Sequence, residues 1–95
     1  MNNNIRTTED ILAERGERYG TFKKHAELSQ AFKEVLHMAL MDRDKELECD
    51  QQEALDMIFH KIARIVNGDP DYADSWDDIA GYAKLVADRL QGKVV

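Results

Sequence analysis

Apolar residues recur at spacings of three and four along most of this chain, the period of helices that bury one face. The first such segment follows "TTED", where Thr7 or Thr8 serves as N-cap and Asp10 stands three residues after Thr7, as in a capping box. This helix is predicted to run to about Tyr19 and stop near Gly20. A second begins after Thr21, carries Leu28, Phe32, Val35, Leu36 and Ala39 on one face, and ends near Met41. The polar stretch "DRDKELECDQ" reads as a connector with a solvated charge run. A third helix spans about Gln52 to Val66, with Leu55, Ile58, Ile62 and Ile65 as its core stripe, and "NGDP" ends it. Asn67-Gly68 suits a left-handed C-terminal cap, and Asp69-Pro70 suits an N-cap followed by proline at the first helical position. The fourth helix runs to about Gln91, with Trp76, Ile79, Ala80, Ala83, Val86, Ala87 and Leu90 as its predicted inner stripe. The expected fold is an all-α, four-helix domain over residues 7–91, with flexible tails at 1–6 and 92–95.

Length changes this picture by making the core thin. A domain of 95 residues buries only about two thirds of the surface its unfolded chain exposes. The helices are therefore expected to pair with a second copy into a dimeric helical bundle. Apolar runs are too short to span a membrane. The N-terminus "MNNNIRTTED" lacks the basic start and apolar core of a secretory signal, so a cytoplasmic location is expected. Cys49 stands alone, with no partner for an internal disulfide or a cysteine zinc site. The formal net charge of -6 disfavours nucleic acid, whose binding depends on Lys and Arg at phosphates. An acidic protein can still hold a nucleotide when a divalent cation lies between the two negative partners.

The faces opposite the predicted core carry the candidate chemistry. On the third helix Glu53, Asp56, His60, Arg64 and Asn67 fall within about 80° of one another. A solvated face laced with i,i+4 pairs accounts for them. On the fourth, Asp74, Asp77, Asp78, Gly81, Leu85 and Asp88 share a strip of similar width. Gly81 costs about 1 kcal/mol relative to alanine inside a helix, which points to a close approach to its backbone. Two readings of the acids stand: they cap the helix through its dipole, or they hold Mg²⁺ or Mn²⁺, for which carboxylates at i,i+3 spacing are suitable donors. Glu53-x-x-Asp56 and Asp74-x-x-Asp77 on two antiparallel helices can face each other around metal ions, with Asp78 as a further ligand. Metals so placed bind phosphate oxygens and acidify the attacking water. Lys61 and Arg64 are the candidate phosphate partners. His25, His37 and His60 lack metal-ligand spacing and are read as ordinary surface or core residues, and Trp76 as core.

At these carboxylates the chain resembles the all-α NTP pyrophosphatase (MazG-like) superfamily, whose pattern is E-E-x-x-E, a gap, then E-x-x-D. Glu53, Asp56, Asp74 and Asp77 fall on the family's carboxylate positions, with Gln52 in place of the first paired glutamate and aspartate shortening the arms at Asp56 and Asp74. The stretches "ERGERYG", "ALDMIFHKIARIVNG" and "DSWDDIAGYAKL" are similar to those of small phage and prophage proteins of unassigned function, which adds Glu14, Arg15, Tyr19, Lys61, Arg64, Gly81 and Tyr82 as site or packing residues. The first resemblance implies catalytic, Mg²⁺-binding carboxylates that hydrolyse a nucleoside triphosphate to monophosphate and pyrophosphate. The second implies action in the cytoplasm of a host cell. A rival expectation is a non-catalytic acidic phage accessory protein that binds a host protein.

Overall fold

The computed structural model describes residues 5–95, which form four helices: α1 (Thr8–Tyr19), α2 (Phe22–Asp42), α3 (Cys49–Asn67) and α4 (Ala73–Leu90). The first four residues of the expected N-terminal tail lie outside the described residues. Among the described residues there is no strand, and no helix is long and apolar enough to cross a membrane.

Local chemistry explains most of the boundaries. Thr7 caps α1 reciprocally: its hydroxyl accepts from the Asp10 amide at 3.1 Å and the Asp10 carboxylate accepts from the Thr7 amide at 3.1 Å. These bonds hold the Asp10 carboxyl below its usual range, the Thr7 backbone bond first among them. Gly20 ends α1 at a φ of 78°, a left-handed conformation that favours glycine. Helix α3 starts three residues earlier than its apolar stripe indicates, because Glu48 and Gln51 close a second capping box over the polar connector.

Two readings of "NGDP" are corrected. Gly68 has a φ of -129°, so it is not a left-handed cap. It is required by crowding, since a Cβ there would overlap the Arg18 carbonyl and the Tyr19 backbone. Asp69-Pro70 does not open α4 either. The Asp69 carboxylate accepts from the Asp71 amide at 2.9 Å and the Pro70 carbonyl accepts from Trp76 Nε1 at 2.9 Å, which builds a turn, and α4 begins three residues after the proline.

Helix α3 lies between α2 and α4, which do not touch each other, so these three helices form a single layer with α1 packed across one end. The molecule measures 58 × 31 × 22 Å. A single layer buries little, and among the described residues no large side chain is fully enclosed. Ala54 and Ala63 are the buried apolar residues, Phe32 stacks on Phe59 with centroids 5.7 Å apart, and Leu55, Ile58, Ile62 and Ile65 are half-buried.

Helix α4 is rotated relative to its predicted inner stripe. Ser75, Ile79, Tyr82, Val86, Asp88 and Arg89 are its buried or half-buried positions, whereas Ala80, Ala83, Ala87 and Leu90 are exposed and Trp76 is 55% exposed. Val35 of the predicted α2 stripe is also exposed. These residues are apolar at helical spacing, yet their own chain does not cover them.

Candidate functional site

The α3–α4 hairpin carries the predicted carboxylates, and two cross-helix ion pairs fix its register. Arg89 binds Asp50 in a bidentate arrangement at 2.6 and 2.8 Å near the open end, and Lys61 binds Asp78 at 2.8 Å near the turn. The Arg89 hydrogen bonds hold the Asp50 carboxyl below its usual range. In this register Asp56 lies level with Ala83 and Asp77 with Ile62, so the two are about 9 Å apart along the axis; Glu53 and Asp74 are about 18 Å apart.

Each predicted residue has a definite place. Glu53 is exposed on α3. Asp56 is half-buried and accepts from Gln52 Nε2 at 2.9 Å. Asp74 accepts from the Tyr72 hydroxyl at 2.8 Å, a bond that raises the Tyr72 pKa above its usual value. Asp77 and Asp78 are exposed and share an open groove of about 400 Å³ with Gly81, Tyr82 and Leu85. A Cβ at Gly81 would meet only open space, so nothing in this chain approaches it closely. Among the described residues no group of three or more His, Cys, Asp or Glu side chains is arranged to hold a metal ion.

Lys61 and Arg64 are neighbours one turn apart on α3 but engage different helices. Lys61 reaches α4, while the Arg64 guanidinium lies 4.1 Å from the centre of the Tyr19 ring on α1. The polar strip of α3, predicted to be solvated, is thus partly a docking face for the α1–α2 elbow. Asn67 Nδ2 donates to the Tyr19 carbonyl at 2.8 Å and to the Thr21 carbonyl at 3.1 Å, and the Asp69 amide donates to the Arg18 carbonyl at 2.6 Å. A Cβ at Gly20 would overlap Asn67. The "YGT" and "NGD" segments are therefore fitted to each other, which joins two stretches distant in sequence.

Beside this elbow lies a cleft of about 440 Å³, bounded by Arg15, Tyr19, Phe22, His25, His60 and Arg64. His25 Nε2 and His60 Nδ1 share a hydrogen bond of 3.1 Å, with the rings edge to face. Burial, then Arg64 and the neighbouring His25, pushes the His60 pKa down to about 4; burial and Arg64 lower His25 as well. Both imidazoles are neutral near pH 7. Sequence reasoning assigned these histidines no joint role. The available signal was that His25 stands three and seven residues before Leu28 and Phe32, on the extension of an apolar stripe.

A family model matches residues 5–90, all four helices. The chain belongs to the DUF6378 family. The family is described as a domain of unknown function, so membership fixes the extent of the conserved unit without assigning its activity. No curated protein and no solved structure matches the chain. The functional reading of this DUF6378 domain therefore rests on the geometry of its own side chains.

Proposed function

We propose that the chain is one subunit of a homodimeric, MazG-like nucleoside triphosphate pyrophosphohydrolase that requires Mg²⁺ or Mn²⁺ and acts in the cytoplasm of a phage-infected host. The observation that carries this reading is the α4 groove, where Asp77 and Asp78 stand beside the open backbone of Gly81 and Lys61 supplies a cation 2.8 Å from Asp78. Carboxylate oxygens suit hard divalent ions, and such an ion supplies phosphate binding and an acidified water. The donors of one chain do not by themselves fit the ion, because the hairpin register separates Glu53 and Asp56 from Asp74 and Asp77. On this reading the remaining donors come from the second copy. Lys61 would exchange its bond to Asp78 for a phosphate oxygen.

Pyrophosphate release from each common dNTP, with Mg²⁺ and with Mn²⁺, tests the proposal. The wild type is expected to release pyrophosphate, and Asp77→Asn to lower the rate by two orders of magnitude or more with its melting temperature nearly unchanged. No release from either protein ends the hydrolase reading. The lack of a three-ligand group among the described residues of one chain favours a second reading, an acidic accessory protein that binds a host protein. It predicts no shift in melting temperature with dNTP and metal, because a ligand that binds only the folded state must raise it.

A further inference from the structure

In a chain whose 19 acids outnumber 13 lysines and arginines, the cleft at the α1–α2 elbow is lined by no acid at all. Its ionisable groups include Arg15, Arg64, His25 and His60. Among the described residues Arg6, Arg18 and Arg89 each pair with carboxylates, but Arg15, Arg43 and Arg64 have none within 4 Å, and of these Arg15 and Arg64 line the cleft. Arg64 is half-buried, and the planar fork of arginine matches carboxylate or phosphate oxygens. The face of Arg64 is fixed by stacking on Tyr19, which leaves the fork's edge to recognise a ligand. His25 is only 4% exposed, and its Nδ1 has no hydrogen-bond partner. Buried polar atoms in this state are rare. The other walls, Leu12, Tyr19 and Phe22, are apolar or aromatic, and the volume lies within the range of small-molecule sites.

We propose that this cleft binds a small organic anion, an aromatic or apolar body carrying one phosphate or carboxylate group, with Arg15 and Arg64 on the charge and Leu12, Tyr19 and Phe22 around the body. The site is separate from the α4 groove, since the two share no lining residue. It requires no metal ion and stands whether or not the chain hydrolyses nucleotides.

Phenyl phosphate is a suitable probe, titrated into the full chain in EDTA while the histidine and tyrosine side chains are followed by NMR. Saturable shifts are expected at His25, His60 and Tyr19, and Arg15→Gln and Arg64→Gln are each expected to weaken binding at least tenfold. Arg15 is exposed and makes no ion pair, so its variant keeps the test meaningful if Arg64→Gln perturbs the fold. Benzoate in parallel distinguishes carboxylate from phosphate preference, and binding by either supports the site. Phenol binding as tightly as phenyl phosphate would overturn the anion assignment, as would unchanged affinity in both variants or no saturable shift with either anion. Because EDTA removes divalent ions, the outcome is independent of the pyrophosphate measurement.

Discussion

At the scale of single residues, the contact between the α1–α2 elbow and the end of α3 is the most constrained part of the molecule. Gly20→Ala combines a positive φ with an overlap against Asn67. Strain of the first kind costs about 1–3 kcal/mol and overpacking about as much again. Urea denaturation is expected to show a loss of about 3 kcal/mol for Gly20→Ala and a similar loss for Gly68→Ala. Gly16→Ala, open on all sides within a helix, should gain up to about 1 kcal/mol and serves as the control. The imidazole pair makes stability depend on pH. His25 and His60 have lowered folded pKa values, so the unfolded chain, with imidazoles near 6.5, binds protons first. Their contribution is complete above about pH 6.5 and is lost as pH falls towards 4. Denaturation midpoints between pH 7.5 and 4.5 should therefore decline, and His60→Gln should flatten the decline. The sequence disclosed the capping box and the stop at Gly20, because both are local. It did not disclose that Gly68 faces Arg18 and Tyr19, since that crowding joins segments about fifty residues apart.

At the scale of helices, the boundaries were legible and the rotation of α4 was not. Caps and glycines mark ends within a few residues of sequence. Rotation about the axis depends on which of two apolar stripes meets the rest of the chain, and α4 has two. Ser75, Ile79, Tyr82 and Val86 face inward, while Ala73, Trp76, Ala80, Ala83, Ala87 and Leu90 form an exposed series with spacings of three and four. Periodicity cannot rank them. The candidate carboxylates show the same limit: the motif spacing was readable, but the hairpin register that separates its halves depends on the turn at 68–72 and the two ion pairs. Gly81 tests whether the outer side of α4 is covered. In an isolated chain Gly81→Ala should stabilise by about 1 kcal/mol, or about 4–8 °C in melting temperature for a domain of this size. If another helix lies against that backbone, the same change should lower the melting temperature. Differential scanning calorimetry of wild type and variant reads the sign.

At the scale of the whole molecule, the layer of α2, α3 and α4 exposes more surface than a compact chain should. Its radius of gyration is 16.5 Å, against about 12 Å expected for 95 residues. Its accessible surface is 7263 Å², against about 5,600 Å² for a folded monomer of 10.9 kDa. The excess is about twice the roughly 800 Å² that each partner contributes to a standard interface. A self-complementary interface suits this surface: small residues at 80, 83 and 87 allow close approach of a second α4, and Leu55, Ile58, Ala83 and Val86 line an apolar groove beside them. Gly81, Asp77 and Asp78 lie on the other side of α4, so a dimer through this stripe leaves them uncovered. Light scattering at micromolar concentration is expected to give twice the chain mass, and the melting temperature should rise with protein concentration. Ala83→Arg places a charge in the middle of this surface. It should dissociate the dimer and lower the melting temperature by more than about 10 °C, because one layer alone has no enclosed core to fall back on. A wild-type monomer with a sharp, concentration-independent melt would remove the second copy.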